Sequence, residues 1–313
     1  MTVILSALNT RPISPPDGIF HIRPTWDVYR ILGEAELFEN SVVVFWPGTY
    51  DLRGTFEFRN IGKIMGWGSK QTRFRRYGQT LFKGVWPYAT MDRSPHIGGF
   101  SIQNKVSTSE PAIELGGQQN IHIEDIYSWD APADVLCFTN MDPVDNPPLG
   151  HPFGTWTENI TLERIVIYGP KSAGIRFRVT DPQRRFQSFS NFRGNGQLTL
   201  TQPGSNGIFC EDHVLIYGGY FGFKFNLDDQ ANGQAVCFGV GPDCNIVSNE
   251  WNSFVEGRGF RVSLRPSSRI TGHGRFTRQN PAHTADNISA GSTWDGKPSG
   301  YVEDGILEDQ WLP

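Results

Sequence analysis

The chain has 313 residues, including 35 Gly and 22 Phe, and only 19% of it is charged. That length can bury a sizeable core, and the Gly- and Phe-rich, Lys-poor composition argues against a helical bundle and for short strands with tight turns. The net charge of −4 removes the general electrostatic case for nucleic acid. No apolar run approaches the ~20 residues of a membrane span.

Residues 1–24 are Pro-rich and read as an extended arm. The opening apolar run is short and followed by Arg11, unlike a secretory signal, so synthesis in a cytoplasm without export is expected. Thr25 is the expected N-cap of a helix over 27–38, with Val28, Ile31, Leu32 and Ala35 at helical spacing. Ser41-Val42-Val43-Val44-Phe45-Trp46 then reads as a buried strand ended by Pro47-Gly48. Cys137, Cys210, Cys237 and Cys244 form no Cys-x-x-Cys pair and read as free buried thiols.

An internal repeat organises the rest. Arg164-Ile165-Val166-Ile167-Tyr168-Gly169 recurs as His213-Val214-Leu215-Ile216-Tyr217-Gly218, 49 residues later, or two units of about 24–25. Each copy leads to a Gly-started apolar segment, Gly174-Ile175-Arg176-Phe177 and Gly222-Phe223-Lys224-Phe225. Weaker copies run from Asp125-Ile126-Tyr127-Ser128 to Val135-Leu136-Cys137-Phe138, and from Gly99-Phe100 to Ala112-Ile113-Glu114-Leu115. Asn120 and Asn159 precede apolar residues and suit the corners of a coil.

This pattern predicts an all-β, right-handed single-stranded parallel β-helix of about eight to ten rungs, with inward Ile, Val, Leu and Phe columns and a short N-terminal capping helix. The competing architecture is an antiparallel sandwich, to which Asn195-Gly196, Asn206-Gly207 and Asn232-Gly233 would contribute hairpin turns. The expected domains are an arm at 1–24, the β-helix at 25–278 and a polar, turn-rich segment at 279–313. Residues 139–157 and 181–196 break the period as long excursions.

Phe45-Trp46-Pro47-Gly48-Thr49-Tyr50-Asp51-Leu52, together with Gly66-Trp67-Gly68-Ser69-Lys70-Gln71-Thr72-Arg73-Phe74, resembles the opening rungs of the pectate-lyase-like superfamily. The later Asn-Ile rungs at 120–126 and 159–165 extend the resemblance over about residues 25–275. Within that superfamily the chain looks most similar to bacteriophage tailspikes, because a secretory signal is not evident, an arm precedes the capping helix and polar material follows the last rungs. The resemblance implies a homotrimer on a virion tail that recognises host surface polysaccharide, joined to a tail or baseplate protein through residues 1–24. Whether it also cleaves that polysaccharide stays open. A free polysaccharide lyase or glycoside hydrolase is the first alternative, and a non-catalytic structural virion component the second.

Glycoside hydrolysis needs two carboxyls about 5–9.5 Å apart. Asp228 and Asp229 follow one strand, and Glu250 lies close to one rung further on, which makes the three the candidate catalytic set. Trp129, Asp130 and Asp134, facing Trp156 and Glu158 across the 139–157 excursion, form the candidate glycan-binding surface, because indole faces stack on sugar rings. Arg73, Arg75 and Arg76 alternate with Phe74 and Tyr77. They either meet an acidic polysaccharide or form the outer face of a half-buried strand. No metal-ligand spacing, cofactor motif, nucleic-acid partner or membrane insertion is expected.

Overall fold

The computed structural model describes residues 18–90, 94–140, 157–179, 188–271, 274–278, 284–295, 301–302 and 305–306. The chain coils as an all-β parallel solenoid of about eight turns. Strands from Ile19–Ile22 to Thr293–Asp295 stack in sequence order as one long sheet, and strands from Phe56–Glu57 to Thr284–Ile288 stack as a second. Pairing in both sheets is parallel, which excludes the antiparallel sandwich. Two of the three expected hairpin signals are absorbed into strands: Asn195-Gly196 lies inside Arg193–Leu200, and Asn206-Gly207 opens Asn206–Cys210. Asn232-Gly233 forms a left-handed turn, at φ 51° and 71°, that joins strands of the two different sheets.

The core follows from register. Residues two apart on a strand face the same way, so each inward position stacks on its partner one rung away. One column runs Val43, Ile64, Ile97, Ile123 and Leu162. It continues through Gly194 to Phe221 and Trp251. Gly194 leaves room where a Cβ would lie 2.7 Å from the Phe192 ring. Phe192 enters there and meets Phe221 at 5.1 Å between centroids, and Phe221 stacks on Trp251 at 4.2 Å. The second sheet supplies Ile113, Leu136, Ile175, Ile208, Phe238 and Val262. Each such side chain contributes about 1.5–3 kcal/mol through burial.

Corners between faces need a left-handed backbone, which L-residues other than Asn and Asp resist. Asn120, Asn159 and Asn191 take it on successive rungs, at φ 53° each. Their amides form a ladder: Asn159 Nδ2 donates to Asn120 Oδ1 at 3.0 Å, and Asn191 Nδ2 to Asn159 Oδ1 at 2.9 Å. A second left-handed column, Gly99, Asp125 and Arg164, bends the first sheet mid-strand. Asn159→Ala is expected to cost about 2 kcal/mol in urea denaturation, combining backbone strain with two lost hydrogen bonds. Asn159→Gly, which removes the strain only, should recover about half of that. Equal losses in the two variants would mean that the corner strain is negligible.

The helix is Val28–Ala35, and its N-cap is Asp27, not Thr25; the Asp27 side chain accepts from Arg30 N. The carboxylate of Asp27 reaches the open N–H groups of the first turn, two residues later than expected. Leu32 and Ala35 enter the core and Val28 and Ile31 pack against it. The helix therefore covers the strands Ile19–Ile22 and Ser41–Phe45 that end the stack. The solenoid begins inside the expected arm, since Ile19–Ile22 already pairs with Val42–Phe45. It also continues past 278, through Thr284–Ile288 and Thr293–Asp295.

The 49-residue repeat is not two rungs. Ile167 registers with Leu198 and then Phe225, whereas Ile216 registers with Phe189 and Ile246 on another face. Partners down one column are residues 96, 122, 161, 193, 220 and 250, so successive steps are 26, 39, 32, 27 and 30. The 39-residue step contains residues 141–156, which lie outside the described residues. All four cysteines are buried free thiols, and burial pushes Cys244 up to about 12.

Candidate functional site

The outer face of the first sheet carries two adjacent columns. Arg73, Ser101, Tyr127 and Val166 register in one, and Arg75, Gln103, Trp129, Tyr168 and Thr199 in the other. Around their aromatic members lies a groove of about 720 Å³, lined by Ser69, Lys70, Arg73, Ser101, Tyr127, Trp129, Asp130 and Tyr168. Tyr127 and Tyr168 are 40% and 41% exposed, high values for rings held on a rigid sheet. Tyr127 and Trp129 sit 5.4 Å apart between ring centroids, and the Arg73 guanidinium lies 5.5 Å from the Trp129 ring.

The groove wall is tied to the sheet by Asp125. Its left-handed backbone turns the carboxylate outward, where it accepts from Ser69 N at 2.9 Å and from Ser69 Oγ at 2.8 Å. That fixes the turn carrying Lys70. Behind this turn Gly66 and Gly99 approach closely, and a Cβ on Gly99 would meet the Gly66 carbonyl oxygen at 2.6 Å. Asp130 stands at the next corner, at φ 51°, with its N–H donated to the Tyr168 carbonyl at 2.9 Å.

Chemically, the groove offers three aromatic surfaces for the C–H faces of sugar rings. Among the lining residues Lys70 and Arg73 supply two cations and Asp130 one carboxylate, and the Asp125 carboxylate at the wall is engaged by Ser69. The two lining cations offer partners to an anionic ligand group. The Arg73, Arg75 and Arg76 run splits in two. Arg73 and Arg75 point outward, while Arg76 is buried, donates to the carbonyls of Gln79, Glu110 and Pro111, and seals the second sheet's approach. Burial pulls Arg76 down to about 10, against the pull of the Glu110 carboxylate, so it stays charged at neutral pH.

Of the expected glycan-binding residues, Trp129 and Asp130 line the groove. Asp134 does not: it is buried and paired bidentately with Arg176, at 2.5 and 3.1 Å, and also accepts from Ala173 N. A carboxylate so placed holds two rungs together and has no free oxygen for a sugar. Glu158 lies on another face, accepting from Ser190 Oγ at 3.1 Å, ten residues before the Tyr168 that neighbours Trp129. Trp156 falls outside the described residues.

The expected catalytic set is not drawn together. Glu250 registers with Tyr220, eight residues before Asp228. That is about 25 Å of strand path, well beyond the ~5–9.5 Å of a glycosidase pair. Asp228 caps its own turn, its Oδ1 accepting from Gln230 N at 2.9 Å. The side chain of Asp229 lies outside the description. Tyr127, Tyr168 and Lys70 escaped the sequence reading. Their only signal was outward parity on strands whose register the sequence does not show.

The strands pair in parallel rung on rung, with an aliphatic and aromatic interior and Asn at the corners. This is a parallel β-helix. The chain matches no protein-family model and no curated protein. Among solved structures, it is similar to ORF18 of Geobacillus virus E2, with a TM-score of 0.45 and 12% identity over 90% of this chain. The β-helix spans 62% of the length of that protein. It is also similar to the catalytic domain of a GH87 α-1,3-glucanase in complex with nigerose, with a TM-score of 0.31 and 12% identity, covering 92% of this chain and 70% of that one. A third is the A-module of the mannuronan C-5 epimerase AlgE6 of Azotobacter vinelandii, at 0.22 and 10%, covering 82% and 86%. Likeness at this level carries no argument about function. Among the described residues, no helix of the β-helix protein is long and apolar enough to cross a membrane.

Proposed function

We propose that the chain is a carbohydrate-binding β-helix whose groove at Tyr127, Trp129 and Tyr168 takes an acidic polysaccharide. One observation carries this reading: three partly exposed aromatic rings from neighbouring rungs stand in one groove with Lys70 and Arg73. Rings on a sheet are held without loop entropy, so stacking on a sugar ring loses little freedom. Among the described residues that line the groove Asp130 is the one carboxylate, and Asp125 at its wall is engaged by Ser69, which supports binding and hydroxyl recognition over two-carboxylate hydrolysis. The finer placement, as the receptor-binding protein of a phage tail acting on host surface glycan, is supported by the resemblance of residues 45–52 and 66–74 to the opening rungs of the pectate-lyase-like superfamily, which includes phage tailspikes. A homotrimer, and attachment through residues 1–24, belong to that same proposal.

The test is a binding series with acidic and neutral polysaccharides over increasing salt. Acidic chains should bind, with affinity falling as salt rises, and neutral ones should bind far less. Arg73→Ala and Lys70→Ala should each flatten the salt dependence. No reducing ends should appear on incubation. Equal affinity for neutral chains, or an unchanged salt response in both variants, overturns the acidic-ligand reading, and release of reducing ends overturns binding without cleavage.

A further inference from the structure

We propose that His96, His122 and Glu124 form a binding site for a divalent transition-metal ion of the zinc class. His96 and His122 are register partners on adjacent rungs. Their rings lie parallel, 4.4 Å between centroids and 4° apart in plane. Glu124 is two residues beyond His122, so it shares the same outward face. Its Oε1 lies 2.8 Å from His96 Nε2, and one ligand atom from each of the three lies within 4.8 Å of the others.

The hydrogen-bond network accounts for His96 and Glu124 but not for His122. The Nε2 of His122 is shielded from solvent and makes no hydrogen bond; Glu163 Oε2 stands 3.8 Å away, too far for one. An imidazole nitrogen that is shielded and makes no hydrogen bond, beside a second imidazole and a carboxylate, completes a donor set for a cation. Two nitrogens select zinc-like ions over calcium or magnesium, which take oxygen ligands. Tetrahedral zinc with bonds of ~2.0–2.1 Å holds its donors ~3.4 Å apart. The two stacked rings aim their in-plane lone pairs in parallel, so binding requires both to turn toward the ion, and all three side chains are part-exposed.

The surroundings fit a ligand carboxylate. Arg164 Nη2 holds Glu124 Oε2 at 2.6 Å, which leaves Oε1 for the ion and orients it, as outer hydrogen bonds do in metal sites. Lys63, in register with His96 on the preceding rung, is the one opposing cation among its register partners. This cluster lies before the mid-strand bend at Asp125 and the groove lies after it, so the site does not depend on the polysaccharide reading.

The experiment uses the full chain without a histidine tag, stripped with chelator and titrated with ZnCl₂ in a calorimeter. Co²⁺ serves as a spectroscopic substitute. One ion per chain is expected, with the intense visible bands of tetrahedral Co²⁺. His122→Ala and Glu124→Gln should each weaken binding at least ~10-fold. His213→Ala, on a distant corner, should not change it. Glu124→Gln keeps the side-chain size, so it serves even if His122→Ala fails to fold. No saturable Zn²⁺ binding by the unaltered chain, or affinity within twofold in Glu124→Gln, overturns the site.

Discussion

Trp129→Ala is expected to weaken acidic-polysaccharide binding by about thirtyfold, the ~2 kcal/mol typical of a central aromatic anchor. Trp129 is the centre of the groove: Tyr127 stands beside it on its own strand, Tyr168 is its register partner on the next rung, and Arg73 lies over its ring. Removing the indole takes away a stacking surface and also releases the guanidinium that packs on it. Trp129→Phe should recover part of the loss. Tyr168→Ala, at the edge, should cost about fivefold. The control is Tyr217, 47% exposed but in register with Ser190 and Val247 on another face. Tyr217→Ala should leave the isotherm unchanged. If Tyr217→Ala weakens binding as much as Trp129→Ala, the ligand lies on a different face and the groove is not its site.

Asp134→Ala is expected to lower unfolding stability by about 3 kcal/mol while leaving polysaccharide affinity per folded molecule unchanged. Asp134 binds Arg176 at 2.5 and 3.1 Å, with side-chain exposures of 4% and 12%. Removing one partner of a buried pair leaves a desolvated charge and costs about 3–5 kcal/mol. The low end applies because Arg176 keeps Glu211 at 2.6 Å and Ser172 at 2.6 Å. Ala173 N also loses its acceptor. Urea denaturation followed by intrinsic fluorescence measures the loss. Full stability with lost binding would reverse the assignment and return Asp134 to a sugar contact.

The fold was legible from short copies whose true register agrees with their sequence alignment. Ala112-Ile113-Glu114-Leu115, Val135-Leu136-Cys137-Phe138 and Gly174-Ile175-Arg176-Phe177 stack directly, with Leu115, Phe138 and Phe177 in one column. Phe100, Ile126 and Ile165 hold one position on three successive rungs, the last aligned through Tyr127 with Val166. The strongest-looking copy, at 213–218, misled on period while pointing to the right architecture. Both copies satisfy the same local demand, an apolar strand ending at a left-handed Gly, and that demand arises at more than one corner of a rung. The copies therefore share local chemistry and not position.

Of the candidate residues, Trp129, Asp130 and Arg73 line the groove, and composition and parity could not separate them from Asp134 and Glu158, which do not. Asp130 and Asp134 are four residues apart, yet one caps an exposed corner and the other is buried against the next rung. Nothing local marks the difference, because the deciding partner of Asp134 is Arg176, 42 residues away. The histidine cluster was hidden in the same way: His96 and His122 are 26 residues apart and touch only because their strands register.

Alone, the amino-acid sequence determined the alphabet of the structure: which segments alternate inward and outward, where Asn and Gly permit a corner, and that no rung is stable without its neighbours. The tertiary structure decided which side chains meet. Each rung carries a connection of different length, so steps of 26, 39, 32, 27 and 30 residues all return to one column. Contact across rungs obeys the hydrogen-bonded register of the backbone, which insertions do not disturb, while spacing along the chain obeys the insertions.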